Sequence, residues 1–293
     1  MFVIQTKDLK LILEAAPVSS LRTHERVIPE AAEKLLLQLK NWAHLHNPII
    51  CGTNNIILDG HHRTFAFKKL GFLFIPVCKI DYMHKDTQVR CWFRLLTNVK
   101  DINLLVEVFR GHGAIVKPVG SKEELKQELD RSPLSFGLQQ GARFFVLSFP
   151  NHIVRNAPDA YDQLEKIQTK IRGEGINTEY VPCEVAEERN FCNGLSDREV
   201  VVWTPQISKE MVEDAVKQNR CFAPKTTRHV IPARPINVNV PISWFREDTS
   251  LEELDKRFTQ FLKSKTLMRL PPGQTIDGRY YEEELFVFMD KKG

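Results

Sequence analysis

At 293 residues, 42% apolar and 27% charged, the chain has the makeup of a folded globular protein with room for two domains, which excludes a disordered polyelectrolyte. Its net charge of +4 is uneven: residues 1–100 hold 14 Lys and Arg against 8 Asp and Glu (+6), and the remainder hold 27 against 29 (−2). A basic front part suits an anionic partner without choosing between nucleic acid and a small phosphorylated ligand.

In chain order, residues 30–46 follow Pro29 with helical apolar spacing and predict an amphipathic helix. The stretch 47–60 predicts two short strands joined by a turn at Gly52–Asn55. A second helix is expected within residues 61–71, stopped by Gly71. Residues 72–80 predict a strand. Residues 87–96 predict another, with Val89, Cys91, Phe93 and Leu95 on one face and Arg90, Trp92 and Arg94 on the other. Beyond Lys100 come a helix at 101–110 and a second helix opened by the capping box Ser121-x-x-Glu124. A strand at 142–149 and a helix ending at Gly173 follow, then a strand near 198–205. Helices are predicted at 208–220 and 250–265, and one strand, 279–288, near the end. The fold class is mixed, α+β, read as two domains, 1–100 and 101–293.

The six cysteines, at 51, 78, 91, 183, 192 and 221, form no C-x-x-C pair, so a zinc ribbon or thioredoxin-like site is not expected and the thiols read as small buried hydrophobes. The first 18 residues are broken by Lys7, Asp8, Lys10 and Glu14, unlike a signal peptide, and no apolar run reaches a membrane span. A cytoplasmic setting with no membrane partner is expected.

Two polar clusters carry the candidate chemistry. Asp59-Gly60-His61-His62-Arg63 stands between an apolar strand and a helix. Gly60 permits a sharp turn, and the outward N–H groups of the helix start, with two imidazoles and a guanidinium beside them, suit a phosphate. Asp59 could orient a histidine or hold a divalent metal; equally, it could cap the helix with the histidines exposed. The second cluster, Arg22-Thr23-His24-Glu25-Arg26, holds a carboxylate among cations. It could accept a proton from a substrate hydroxyl, or form a solvated charge cluster ahead of the helix. Further on, Pro224-Lys225-Thr226-Thr227-Arg228-His229 reads as a rigid polar loop able to donate to a phosphate or a carboxylate. Trp92 either walls a small-molecule pocket or packs under arginine stems.

The H-E element upstream, the D-G-H-H-R loop, and a helix ending K-x-L-G before I-P-V together resemble the ParB/sulfiredoxin superfamily. Within it the chain is similar to the free L-serine kinases, whose D-G-x-H-R loop Asp59–Arg63 satisfies. Sulfiredoxins carry a reactive cysteine where this chain has His61, and chromosome-partitioning proteins carry G-E-R-R. Phe222–His229 and Pro271-Pro272-Gly273 through Tyr281-Glu282-Glu283 extend the resemblance into the second half.

The resemblance implies a ParB/sulfiredoxin-like N-terminal domain and a larger α/β domain. It also implies transfer of a phosphoryl group from ADP or ATP to the hydroxyl of free L-serine. Glu25 is then the proton acceptor and Asp59 the second catalytic carboxylate and ligand of Mg²⁺. Gly60, His61, His62, Arg63, Lys225, Thr226, Arg228 and His229 are expected at the nucleotide and its phosphates, and His24, Trp92 and Thr227 at serine. No P-loop or protein-kinase motif is present, so the phosphate cradle has to be a different one. The competing expectations are a ParB-like DNA-binding or nucleotide-switch protein and a non-catalytic sensor of serine and nucleotide. The net −2 of residues 101–293 speaks against nucleic acid as a partner.

Overall fold

The computed structural model describes residues 1–188 and 196–291. It divides into two compact units, Met1–Gln88 together with His229–Gly293, and Val89–Arg228. The chain therefore leaves the first unit and returns to it, whereas the sequence had suggested a single cut at residue 100.

The first unit opens with β1 (Phe2–Gln5) and β2 (Lys10–Pro17), followed by α1 (Pro29–Asn41), β3 (His44–Leu45), β4 (Ile49–Gly52), β5 (Ile57–Asp59), α2 (His61–Lys69) and β6 (Phe74–Ile80). Five of these strands form one sheet in the order β1-β2-β6-β4-β5, with β4 parallel to β6 and the other pairs antiparallel. The alternation of β2 buries Leu11 and Leu13 completely on the face that Cys78 of β6 and Ile50 of β4 share, and Ile49, Ile75 and Val77 are buried on the opposite face of the sheet.

The second unit contains β7 (Gln88–Thr97), α3 (Ile102–Gly111), β8 (Ile115–Val119), α4 (Lys122–Arg131), β9 (Phe136–Gln140) and β10 (Arg143–Ser148). It continues with α5 (Ala157–Gly173), β11 (Asn177–Pro182), α6 (Cys183–Glu188), β12 (Val200–Trp203), α7 (Lys209–Lys217) and β13 (Thr227–Val230). Its sheet runs β11-β7-β12-β9-β10-β8, with β13 also on β7. Helices start where a side chain takes a first-turn amide: Asp101, Ser121, Asn156 and Ser208 each accept from the residue two or three positions on.

The returning segment forms β14 (Ala233–Ile236), β15 (Val240–Pro241), α8 (Leu251–Lys263), β16 (Lys265–Leu270), β17 (Gln274–Ile276), β18 (Arg279–Tyr281) and β19 (Glu284–Asp290). β14 and β19 pair in parallel, β16 and β19 antiparallel. Contacts with the first 88 residues are specific: β15 pairs with β3, Ala15 N–H donates to Asp255 Oδ1 at 3.0 Å, and the terminal ammonium reaches Asp255 and Thr259.

The mixed α+β class is as expected, with two local differences. The predicted helix 30–46 ends at Asn41, because Trp42 turns extended and His44–Leu45 pair with β15, a partner about two hundred residues away. The predicted strand 279–288 is two, β18 and β19, with Glu283 in the break. Cys51, Cys78, Cys91 and Cys183 are buried and Cys221 is half-buried; Cys192 lies outside the described residues. Among the described residues no helix is long and apolar enough to cross a membrane.

Candidate functional site

In the first unit, β5 runs straight into the turn that starts α2. Gly60 sits at φ 109°, a left-handed conformation that costs a side-chain-bearing residue roughly 1–2 kcal/mol. The first helical bond runs from Thr64 N–H to Gly60 O at 2.9 Å, and Gly60, standing at the cap position, has no side chain with which to cap the helix. The N–H groups of the first turn thus point out of the helix start with partial positive charge, the arrangement that binds phosphate.

The His24–Glu25 segment is brought to this turn by backbone pairing. Arg22 N–H donates to Asn55 O at 2.9 Å, and Ile57 N–H donates to Arg22 O at 3.0 Å, so the segment runs beside β5. His24 is fully buried. Its ring stands edge-on to His61 (4.6 Å between centroids) and to His229 (5.0 Å), with Nδ1 3.3 Å from His61 Nε2. The Tyr82 hydroxyl lies 3.4 Å from His229 Nε2. Ile28 N–H donates to His62 Nε2 at 3.1 Å, so that ring is an acceptor there and carries its proton on Nδ1. Glu25, half-buried, follows His24 directly.

Burial sets the protonation of these rings. It pushes the His61 imidazole down to about 4, although Asp59 acts in the opposite sense. It drives His24 well below the ordinary histidine value, with His61 and His229 adding to the effect. Both rings are neutral at pH 7, and they serve as hydrogen-bonding and packing groups rather than as cations.

Asp59 has a different environment. Its Oδ2 receives Arg234 Nη1 and, at 3.4 Å, Arg63 Nη2. Burial opposes its charge, but the Arg234 and Arg63 guanidiniums outweigh that and hold the carboxyl well below the usual carboxylate range. Arg63 also donates from Nη1 to Asn47 O at 2.6 Å and Pro48 O at 3.0 Å, bracing the approach to β4. Arg234 Nε donates to Glu283 Oε1 at 2.6 Å. The expected magnesium ligand at Asp59 does not fit this arrangement. The carboxylate is already neutralised by two guanidiniums, which engage its Oδ2.

The second unit holds the other expected residues around Trp92. Lys225, at φ 60°, places Nζ 5.0 Å from the centre of the indole, and the Arg228 guanidinium lies 5.8 Å from it. Trp92 Nε1–H donates to Thr227 O at 3.1 Å. Glu184 pairs with both Arg90, at 2.9 Å, and Arg228. Thr226 is fully buried, with its hydroxyl donating to Ala223 O at 2.8 Å. Arg94 lies on the face of β7 that also carries Arg90 and Trp92. It is buried, 4.7 Å from the centre of the Tyr180 ring, and donates to Trp92 O at 2.5 Å. The run 225–229, read as one loop, is divided: Lys225–Arg228 surround Trp92 in the second unit, and His229 joins His24 and Tyr82 in the first.

Sequence reasoning missed Arg234, Tyr82 and Glu184, and it named Glu283 within the C-terminal resemblance without giving it a role. For Arg234 a signal existed, a lone charge inside the otherwise apolar run Ala233–Ile236, all four residues of which are buried. The others carry no local mark, because their partners are distant in sequence.

No family model matches the chain. It is 25% identical to an ATP-dependent L-serine kinase of Staphylothermus marinus over 82% of this chain and 93% of the relative. It is 24% identical to an ADP-dependent L-serine kinase of Thermococcus kodakarensis over 77% and 89%. Among solved structures, a free serine kinase in complex with AMP superposes with a TM-score of 0.64 at 23% identity, covering 86% of this chain and 96% of that one. The chain resembles the free L-serine kinases along most of its length and has their fold.

Proposed function

We propose that this chain, with the fold of the free serine kinases, is itself one. It would transfer the terminal phosphoryl group of ADP or ATP to the hydroxyl of free L-serine, giving O-phospho-L-serine. The observation that carries this reading is the start of α2. An uncapped helix N-terminus at a left-handed glycine is tied by the His24–His61 and Ile28–His62 contacts to the segment bearing Glu25. A phosphate cradle and a candidate proton acceptor are thereby held to one another.

Phosphoryl transfer needs positioning and charge stabilisation more than covalent chemistry. The first-turn amides of α2 bind the donor phosphates, and Gly60, lacking a side chain, lets them approach. Glu25 accepts the proton of the serine hydroxyl as the oxygen attacks phosphorus. His24 and His61 stay neutral and fix the geometry beside the phosphates. Lys225, Thr227 and Arg228 of the second unit offer the kind of donors that a phosphate or the serine carboxylate requires. Magnesium accompanies nucleotides in such reactions, but Asp59 is not suited to hold it, and the proton and phosphate steps rest on the chain's own residues. A cytoplasmic setting goes with a nucleotide donor.

Purified chain with L-serine, Mg²⁺ and either ADP or ATP is expected to yield O-phosphoserine, read by phosphorus NMR. Nucleotide binding without product, or product from neither donor, contradicts the proposal.

A further inference from the structure

Arg234 is buried, at 6% exposure, on a strand whose four residues are all buried. A guanidinium there is costly to desolvate, and an apolar side chain would fill the space more cheaply. Its partners come from two remote segments: Asp59 at the turn before α2, through Nη1, and Glu283 in the break between β18 and β19, through Nε. In the parallel β14–β19 ladder Arg234 pairs with Leu285, two residues on from Glu283, which lies just before β19 within reach of the guanidinium. Its far edge meets the same Asp59 oxygen that Arg63 of the first turn of α2 approaches.

From this geometry we infer that Arg234 is the positioning residue of the phosphate-binding turn, holding the Asp59 carboxylate away from the His61 and Arg63 amides in the first turn of α2 so that those two amides stay available to the nucleotide. The inference rests on the proposed nucleotide site and deepens it. Asp59 directly precedes the uncapped helix start. An aspartate near such a start is a natural acceptor for its N–H groups. Released from Arg234, the carboxylate would compete with the donor phosphates for those amides and repel them. Glu283 orients the guanidinium from behind and takes no part in contact with the ligand.

The test is ADP titration of the full chain, alongside thermal melting. R234M is expected to weaken ADP binding at least tenfold. The double variant D59N/R234M, which removes the released carboxylate, is expected to bind ADP within about threefold of the unaltered protein. A merely structural role for Arg234 predicts no such rescue. R234K keeps the charge but cannot span both carboxylates, so it is expected to bind ADP several-fold more weakly and serves if R234M does not fold. Unchanged ADP affinity in R234M or R234K, or a double variant that binds as weakly as R234M, overturns the inference. If the unaltered chain binds ADP but forms no O-phosphoserine, the kinase reading fails while the titration still decides the role of Arg234. If it does not bind ADP, both fall.

Discussion

The backbone N–H of Ile28 donates to Nε2 of His62 at 3.1 Å, joining the segment that carries Glu25 to the first turn of the helix that is to hold phosphate. The two residues stand 34 positions apart, and the bond spans the chain's two polar motifs. If it aligns them, His62→Ala lowers kcat/KM for serine phosphorylation by at least about tenfold, since small misplacements of reacting groups are costly. The melting temperature falls by only a few degrees, as for loss of one partly buried hydrogen bond. Steady-state kinetics beside a thermal melt checks this, and an unchanged kcat/KM in His62→Ala contradicts it.

The buried imidazoles give stability a defined pH dependence. Burial pushes His61 to about 4 and lowers His24 too, while in the unfolded chain both titrate near the ordinary value of about 6.5. Below that value the unfolded state binds protons that the folded state refuses. The stabilisation is therefore complete above pH 6.5 and is lost progressively as pH falls toward 4. Asp59 does not contribute in this window, because a depressed carboxylate loses its contribution only below the ordinary carboxylate range, near pH 4. Urea midpoints are expected to fall between pH 7 and pH 5, and less steeply in His61→Asn. A midpoint that is flat over this range contradicts neutral burial.

Gly60 is held at φ 109°, and a Cβ there would stand 2.6 Å from Ile49 Cδ1 and 3.1 Å from Arg63 Nη2. Gly60→Ala is expected to cost about 1–2 kcal/mol from the left-handed backbone, seen as a melting temperature lower by several degrees. ADP affinity should fall with it, because the methyl group stands at the turn that the phosphates approach. Wild-type stability and affinity in this variant would show that the turn is not what binds the nucleotide.

Parts of this arrangement were legible before the fold. Strand–Asp-Gly–helix could be read at 57–69 because the turn is local: its glycine, its apolar strand and its helix lie within thirteen residues. The same holds for Gly71, which is left-handed at φ 74°, and for Ser121, whose hydroxyl accepts from Glu124 N–H at 3.1 Å. What could not be read depends on distant partners. The helix of residues 30–46 stops early because β3 belongs to β15, and the ion pair of Asp59 was not legible because Arg234 comes to it across 175 positions. The run 225–229 reads as one polar loop, yet it is where the chain passes from one compact unit to the other, and no local pattern marks that passage.

The central claim is that Glu25 accepts the serine proton. The most direct measurement is the single-turnover rate of O-phosphoserine formation by Glu25→Gln beside the unaltered chain, with ADP titration and thermal melting as controls. The isosteric amide keeps the shape and cannot take a proton. The rate is expected to fall about 100-fold or more while nucleotide affinity and melting temperature stay close to those of the unaltered chain. A variant that phosphorylates serine at the full rate would contradict the account.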